Sequence, residues 1–329
     1  MGLSIGIVGL PNVGKSTLFN ALTKKAVPAE NYPFCTIDPS VGVVAVPDER
    51  LEKLTQFSQS AKTIPAAVEF VDIAGLVAGA AKGEGLGNKF LSHIREVDAI
   101  LHVVRTFEDK SVIHVANRID PVGDAEVINL ELVLADAETV AKRLIAIGRD
   151  AKRGEKAAVL EAAALEKVAA ALEQGQFASS VALEAEERRI LKQANLLTLK
   201  PMIYATNISA ASENRPVELP GLVVAIDPVF GTGLDELIRA SYQLLNLITY
   251  FTTGPDETRA WTIVRGSTAP EAGAAIHTDF RERFIRAEVI GWQDLLAAGS
   301  YGAAREKGLL RIEGRDYIVA DGDVIEFRV

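Results

Sequence analysis

Residues 9–16 constrain the fold more than any other stretch of this chain. They read Gly-Leu-Pro-Asn-Val-Gly-Lys-Ser and match the pattern G-x-x-x-x-G-K-[ST] of a phosphate-binding loop. Residues 4–8 before them form a short apolar run typical of a buried parallel strand, and residues 17–22 after them have helical spacing. Strand, glycine loop and helix therefore follow in the order that the motif requires. The alternative, a glycine turn with a surface lysine, is disfavoured by these flanks.

Each residue type in such a loop has a chemical role. The backbone N–H groups point inward at a phosphate chain, beside the positive end of the following helix. We expect Lys15 to contact the β- and γ-phosphates and the Ser16 hydroxyl to bind Mg²⁺. The sequence therefore predicts a nucleoside triphosphate site.

The composition of the 329 residues limits the other classes of protein. Hydrophobic residues make up 48%, enough for a packed core, and the length allows two or three domains. The net charge of −9 argues against coating nucleic acid by bulk attraction, although a local basic patch is compatible with it. The single cysteine, Cys35, fits a reducing cytosol. Residues 2–10 are too short to span a membrane and lack a signal-peptide pattern, so we expect a cytoplasmic protein without a membrane partner.

Two later stretches contain residues that a P-loop hydrolase needs. Residues 31–39 carry two prolines and few charges, and Thr36 among them stands where such an enzyme has the switch threonine that completes the Mg²⁺ shell. A plain turn is the alternative there. Residues 67–71 predict a strand that leads into the pattern D-x-x-G. We expect Asp72 to hold the metal through water and the N–H of Gly75 to contact the γ-phosphate.

The residue after this motif is Leu76, where Ras-like GTPases have a glutamine that orients the attacking water. Leucine cannot form that hydrogen bond, so water must be positioned by other means. The side-chain oxygen of Asn12 could help to hold a monovalent cation such as K⁺ against the phosphates. His102 lies in an apolar strand and is predicted to be a packing residue. His114 either orients water or is an ordinary surface or packing histidine.

From about residue 126 to 197 the composition changes to Ala, Leu, Glu, Lys and Arg. Apolar residues at alternating three- and four-residue steps predict the seam of a coiled coil. They are Val127, Leu130, Leu134, Ala137, Ala141 and Leu144. We expect a helical arm that folds back on itself, with an outer face that is either solvated or a docking surface.

Residues 200–206 predict the next strand, and Asn207 and Ile208 follow it where a GTPase has N-K-x-D. No lysine or acid stands at 207–210, so guanine selectivity has no obvious source. Residues 117–120 fit N-[KR]-x-D loosely. They follow the preceding strand too closely, since a parallel crossover needs about a dozen residues or more, and we reject them as the base motif.

The last part of the chain has a pattern of its own. Residues 222–226 predict a strand, 233–249 a closing helix and 251–255 a linker. Beyond the linker we predict strands and helices that together suggest a small sheet gripping one helix, a β-grasp pattern. The predicted strands are 261–264, 285–290, 317–319 and 324–329, and the helices are 271–284 and about 294–296.

Motifs along nearly the whole chain resemble the YchF subfamily of Obg-like ATPases. They are residues 9–17, 31–39 and 72–77, and for the family's C-terminal TGS domain residues 259–263, 276–280 and 316–323. The resemblance implies an α/β fold with three parts: a P-loop G domain (1–125 and 200–250), an inserted helical coiled-coil arm (126–199) and a ubiquitin-like β-grasp TGS domain (251–329). It also implies ATP hydrolysis in place of GTP hydrolysis, and association with ribosomes or the large ribosomal subunit.

The family pattern also implies roles for single residues. The phosphates would be held by Asn12, Val13, Gly14, Lys15, Ser16 and Thr17. Ser16 and Thr36 would bind Mg²⁺, Asn207 and Ile208 would meet adenine, and His114 stands where the family has a histidine proposed to assist hydrolysis.

One position departs from the family, which usually has Asn-x-x-Glu at the base site, where this chain has Ala210. Two other functions stay open at this point: an Obg-like GTPase with a degenerate base motif, and a weakly hydrolysing scaffold that recruits partners. Intact Lys15, Ser16, Thr36 and Asp72 favour an active enzyme.

Overall fold

The computed structural model describes residues 3–27, 38–73, 87–107, 119–208 and 217–329. Among these residues the strands are β1 (Ser4–Val8), β2 (Val41–Ala45), β3 (Lys62–Ile64), β4 (Ala67–Asp72), β5 (Ala99–Arg105), β6 (Met202–Asn207), β7 (Leu222–Ile226), β8 (Leu247–Thr253), β9 (Glu257–Val264), β10 (Arg286–Gly291), β11 (Arg311–Glu313) and β12 (Asp323–Arg328). The α-helices are α1 (Lys15–Thr23), α2 (Glu49–Ser58), α3 (Asn88–Glu96), α4 (Pro121–Lys152), α5 (Lys156–Glu173), α6 (Ala185–Leu191), α7 (Leu234–Leu244), α8 (Ala269–Ala274), α9 (Thr278–Glu282), α10 (Trp292–Ala298) and α11 (Tyr301–Glu306).

The first sheet has the order β2-β4-β1-β5-β6-β7. Its neighbouring strands are parallel, apart from β2, which runs antiparallel to β4. A parallel sheet is covered by helices on both faces, and here α1, α2 and α7 cover one face while α3 and the start of α4 cover the other. The carboxyl ends of β1, β4 and β6 meet at one edge, the edge at which open α/β sheets bind ligands.

The strands predicted in this sheet are confirmed, with shifts of only a few residues at their ends. The predicted closing helix is shorter than expected, because α7 ends at Leu244 and Asn246 adopts a left-handed backbone with φ of 56°. In the part of the chain that the structure describes, no helix is both long enough and apolar enough to cross a membrane.

Helices α4 and α5 form the hairpin that the composition predicted. Asp120 caps α4, since its carboxylate accepts a hydrogen bond from the N–H of Gly123 at 3.0 Å. The chain turns at residues 153–155, and α5 packs back along α4 through a shared apolar cluster. Arg143 on α4 donates to Glu161 on α5 at 2.6 Å.

The predicted seam of this hairpin was partly wrong. The side chains of α4 that pack into the cluster with α5 are Val133, Ala137, Val140, Leu144 and Ile147. Of the predicted seam, only Ala137 and Leu144 belong to this set, whereas the earlier members Val127, Leu130 and Leu134 are exposed. The helix carries two apolar stripes with the same spacing, and periodicity alone cannot tell which of them faces the partner helix.

The base of the hairpin is fixed by one buried carboxylate. Asp136 is fully buried and accepts hydrogen bonds from the N–H of Leu197 at 2.9 Å and from the N–H and hydroxyl of Thr198 at 2.7 and 2.6 Å. Burial raises the pKa of Asp136, while these hydrogen bonds oppose the shift. The middle of α4 is therefore tied to the segment that leads into β6.

The second sheet has the order β11-β10-β12-β8-β9-β3. Its edge strand β3 comes from the first half of the chain and pairs in parallel with β9, from Lys62↔Glu257 to Ile64↔Arg259. Next to it, the N–H of Ala61 donates to the carbonyl of Pro255 at 2.8 Å. A segment from the first half of the chain is thus held in the second sheet by backbone hydrogen bonds.

The linker predicted at residues 251–255 was wrong, because β8 occupies Leu247–Thr253 in the middle of this sheet. Tyr250 and Phe251 are both fully buried. A strand buried on both faces has no alternation of polar and apolar residues, so the sequence resembled the end of a helix.

Two other predictions for this part need correction. The helix predicted at 271–284 is two short helices, α8 and α9, separated at His277, whose side chain caps α9. The strand predicted at 317–319 is only an isolated bridge between Ile318 and Thr268. Short elements such as β3, β11 and α11 were not predicted, since they hold too few residues to show a period.

Candidate functional site

The loop between β1 and α1 makes its turn within residues 9–14. Asn12 and Gly14 have left-handed backbones, with φ of 63° and 98°. A Cβ atom on Gly14 would also collide with the side-chain amide of Asn207, and one on Gly9 would lie 2.6 Å from the carbonyl oxygen of Val103. The two glycines of the motif therefore allow the loop to pack directly against β5 and β6.

Lys15 begins α1, and its side chain returns over the loop. Its Nζ donates to the carbonyl oxygens of Gly9 at 3.0 Å and Leu10 at 2.9 Å. An ammonium group has three N–H donors, so these two bonds leave one N–H for a ligand. The residue is only 9% exposed. Burial lowers the pKa of Lys15, and the charge of Asp72 opposes this shift.

Ser16 and Asp72 bring two oxygen atoms together at the mouth of the loop. Ser16 lies in the first turn of α1, and Asp72 ends β4, where it is in register with Ile7 of β1. Ser16 Oγ lies 3.4 Å from Asp72 Oδ2. Hydroxyl and carboxylate oxygens suit Mg²⁺, which is usually held by few protein ligands together with water and substrate phosphates. The donor set therefore fits this ion.

The described residues contain no denser metal site, because no group of three or more His, Cys, Asp or Glu side chains comes together among them. A buried Zn²⁺-type cage is therefore not a feature of this part of the chain.

Asn207 ends β6 and faces the loop from the neighbouring strand. Its Nδ2 donates to the carbonyl oxygen of Val13 at 2.9 Å, and the side chain is buried. Its own carbonyl accepts hydrogen bonds from the N–H and the hydroxyl of Thr106 at 3.1 and 2.9 Å. Ile208, the next residue, donates its N–H to the carbonyl of Ile226 at 2.9 Å. Asn207 thus connects the phosphate-binding loop to β5 and β6.

The link between Asn207 and Val13 is the main feature of the site that the sequence did not reveal. The pattern in the sequence predicted only a contact between Asn207 and a base. The position of Asn207 at the end of a strand was a signal that it lies near the loop, because carboxyl ends of parallel strands share an edge.

His102 lies below the loop on β5, opposite Val8 of β1. It is buried, and its ring centroid is 5.2 Å from that of Tyr204. Burial lowers the pKa of His102 to about 3, a hydrogen bond with Asn129 opposes the shift, and the charge of Lys15 adds to it. The histidine is neutral, and its predicted packing role is confirmed.

The structure brings many of the predicted site residues to one edge of the sheet. They are Asn12, Val13, Gly14, Lys15, Ser16, Thr17, Asp72, Asn207 and Ile208. The predictions for Thr36, Gly75, Leu76 and His114 lie outside the described residues, as does the departure at Ala210.

The rejected base motif at 117–120 ends in a capping residue, Asp120. The strand that follows β5 in the sheet is β6, far downstream, and the carboxyl end of β6 carries Asn207. The strand next to β5 therefore ends at Asn207, the residue that the sequence predicted to meet the base, and that contact stays a prediction.

Two family models match the chain. Residues 4–136 match a model described as 50S ribosome-binding GTPase, and residues 247–329 match YchF-GTPase_C, described as a protein of unknown function. A Bacillus subtilis protein named ribosome-binding ATPase YchF is 50% identical, covering 100% of this chain and 99% of its own length. An Escherichia coli O157:H7 protein of the same name is 46% identical over 99% of both.

The chain belongs to the YchF family. Among solved structures, the Schizosaccharomyces pombe YchF GTPase superposes with a TM-score of 0.88 at 38% identity, covering 99% of this chain and 98% of that one. The resemblance inferred from the motifs is therefore confirmed, together with the P-loop G-domain fold and the presence of the family's C-terminal region. The alignment with the Bacillus protein runs over 363 positions, so this chain of 329 residues lacks segments that its relative has.

Proposed function

We propose that this protein is a ribosome-binding ATPase that hydrolyses ATP to ADP and phosphate and acts as a nucleotide-dependent switch linked to translation. The observation that carries the proposal is the organised phosphate loop, in which Lys15 and Asn207 hold three loop carbonyls and leave N–H donors for a ligand. The bacterial relatives of the family are named ribosome-binding ATPases, which supports the same function.

In this proposal the protein binds and orients a triphosphate. The N–H groups of residues 12–17 surround the phosphate oxygens, and the remaining N–H of Lys15 donates to an oxygen between the β- and γ-phosphates. This charge–charge contact lies in a buried site, where electrostatic interactions are stronger than in water. Gly75 would contribute its N–H at the γ-phosphate.

Ser16, Thr36 and, through water, Asp72 would hold Mg²⁺. When bound, the ion supplies positive charge to the β- and γ-phosphate oxygens as negative charge develops on them. The 3.4 Å separation of the Ser16 and Asp72 oxygens supports this assignment. Asn12, at the left-handed turn of the loop, is the proposed contact of a K⁺ ion.

The attacking water would be oriented without a glutamine, because Leu76 has no hydrogen-bonding group. We assign this role to His114, on the basis of its place in the family pattern.

Asn207 and Ile208 would meet the adenine. An amide nitrogen has two N–H donors, so Asn207 can donate one to Val13 and the other to adenine, while its oxygen accepts from the amino group at C6. Guanine would need an acceptor for its N1 and N2 hydrogens, and neither residue has a carboxylate for them.

The finer architecture is also part of the proposal. We assign residues 1–125 and 200–250 to the G domain, 126–199 to a coiled-coil arm and 251–329 to a ubiquitin-like TGS domain, in a cytoplasmic protein. The arm and the TGS domain would contact the ribosome, with the large subunit as the expected partner. Cosedimentation of the full chain with separated large and small subunits tests this assignment.

The decisive experiment compares ATP and GTP at matched Mg²⁺, by titration and by phosphate release. We expect ATP to bind several-fold more tightly and to be hydrolysed, and Lys15→Ala to abolish turnover while the protein stays folded. Lys24→Ala, at the exposed end of the same helix, is the matched control. Tighter binding of GTP would instead indicate an Obg-like GTPase, and binding of ATP without turnover would indicate a scaffold.

A further inference from the structure

Helix α4 is apolar on two opposite faces. The inner face packs on the first sheet and on α5 through buried side chains such as Ile128, Leu132 and Val140. A helix at a protein surface normally carries charged and polar residues on the opposite, solvent-facing side. This helix does not follow that rule.

The outer face of α4 carries four large apolar side chains that are exposed over half or more of their surface. They are Val127 (51%), Leu130 (52%), Leu134 (55%) and Ile145 (80%). Between Leu134 and Ile145 this side of the helix also carries Ala141 and the exposed pair of Glu138 and Lys142, whose charged atoms lie 2.5 Å apart. We call the five apolar residues Val127, Leu130, Leu134, Ala141 and Ile145 the outer stripe.

The spacing of the outer stripe is that of a coiled-coil seam. Val127, Leu130, Leu134 and Ala141 occupy a and d positions of successive heptads, and the d position between Leu134 and Ala141 is the half-buried Ala137, which packs toward α5. From Val127 to Ile145 the stripe is about 27 Å long at 1.5 Å per residue. A partner helix of about five turns would cover it.

The residues beside the stripe are acidic. Glu126, Glu131 and Glu138 stand at the e and g positions of the same heptads, and the first basic residues of the helix are Lys142 and Arg143, near the end of the stripe. Glu126 and Glu138 are exposed. In coiled coils the charges at e and g determine which partner binds.

We propose that the outer stripe is the docking surface of an amphipathic helix of another protein, with apolar residues at heptad spacing and Lys or Arg at the flanking positions. Apolar side chains would cover the exposed leucines and valine, and the basic residues would lie beside the acidic flank, where Glu126 is exposed and Glu138 pairs with Lys142 of the same helix. RNA is a poor match, because its phosphates would meet the acidic flanks. A second copy of this chain is also a poorer match, since it brings the same glutamates. The inference does not depend on the proposed ATPase function.

The test uses the full chain and two synthetic helical peptides of about 21 residues, with fluorescence anisotropy as the readout. Both peptides carry Leu at the a and d positions; one has Lys at e and g and the other has Glu. We expect the Lys peptide to bind at least about tenfold more tightly than the Glu peptide, and this difference to shrink at high salt.

Two variants separate the apolar and the charged contributions. Leu130→Ser combined with Leu134→Ser should weaken binding of the Lys peptide at least about tenfold without lowering the unfolding temperature, because both side chains are exposed. Val159→Ser on α5, which is also exposed but lies outside the stripe, should have no effect. Glu126→Lys combined with Glu138→Lys should reverse the preference toward the Glu peptide.

The proposal is overturned if neither peptide binds, if both bind equally, or if the two serine substitutions leave binding unchanged. A dimer in sedimentation equilibrium that dissociates in the Leu130→Ser, Leu134→Ser variant would assign the stripe to a second copy of the chain. Tighter binding to an RNA duplex than to the Lys peptide would assign the surface to nucleic acid. Either result would refute a basic helix as the occupant.

Discussion

Replacing Asn207 with alanine should loosen the phosphate-binding loop. The substitution removes the 2.9 Å hydrogen bond to the carbonyl of Val13 inside a buried site. A buried acceptor that loses its partner costs about 1–3 kcal/mol, which corresponds to about 5- to 150-fold in an equilibrium constant. We expect this cost to be divided between the free energy of unfolding and the affinity for nucleotide.

The assay must separate the loop from the base, because Asn207 is proposed to contact both. Inorganic tripolyphosphate with Mg²⁺ has no base, so isothermal titration with it measures the phosphate site alone. If Asn207 organises the loop, Asn207→Ala should weaken the binding of both tripolyphosphate and ATP, and ATP by the larger factor because it also loses the proposed contact with the base. Loss of ATP affinity with unchanged tripolyphosphate affinity would refute the loop argument and leave only the base contact.

Asn207→Asp is a sharper variant of nearly the same size. A carboxylate cannot donate, so it would place an acceptor against the carbonyl of Val13, and burial of an unpaired charge adds a further cost. We therefore expect a larger loss than for alanine. Equal effects of the two substitutions would show that the hydrogen bond contributes little.

Three further predictions concern stability and are measured by urea unfolding. Burial lowers the pKa of His102 from 6.5 to about 3, so the unfolded chain binds this proton at a higher pH than the folded chain does. The free energy of unfolding should therefore fall as the pH drops below 6.5, by up to about 1.4 kcal/mol per pH unit. His102→Leu should remove this part of the pH dependence, and an unchanged pH dependence would refute the argument. Asp136→Asn should lower the free energy of unfolding by about 1–3 kcal/mol, because the amide group of asparagine would place its own N–H against the N–H groups of residues 197–198. Arg50→Ala should lower the free energy of unfolding by about 2 kcal/mol, because it removes charged hydrogen bonds to Asp48 and Asp321. The control is Lys53→Ala, which breaks an exposed ion pair on the same helix and should cost about 0.5 kcal/mol or less.

The local sequence pattern was sufficient to predict an element wherever the element has a clear motif or a single buried face. The loop at 9–16 and the strands of the first sheet have clear periods or motifs, and the structure confirms them. Asp72 and Asn207 could be assigned to the site because each follows a strand. Their distances from Ser16 and Val13 could not be predicted, since they depend on the register between strands that are distant in sequence.

The sequence pattern gave wrong predictions where an element is buried on both faces and shows no period, or where it carries two apolar faces. β8 is buried on both faces and resembled a helix followed by a linker. α4 has two apolar stripes, and the sequence favoured the one that is exposed. β3 is too short to show a period, and it is stabilised by pairing with β9, about two hundred residues further along the chain.

The position of β3 connects the site to the second sheet. β3 is followed after Pro65 and Ala66 by β4, which ends at Asp72 beside Ser16. One end of the segment from β3 to β4 is therefore hydrogen-bonded to β9, and the other end carries Asp72, a proposed metal ligand. Buried apolar residues of α2 and β8, such as Leu54 and Phe251, belong to one continuous cluster with the first sheet. Packed cores do not deform continuously, because close packing leaves few voids to absorb a shift. A movement of β4 along its axis must therefore either change the pairing of β3 with β9 or be absorbed at Pro65 and Ala66, and the first of these outcomes would carry a change at Asp72 into the second sheet.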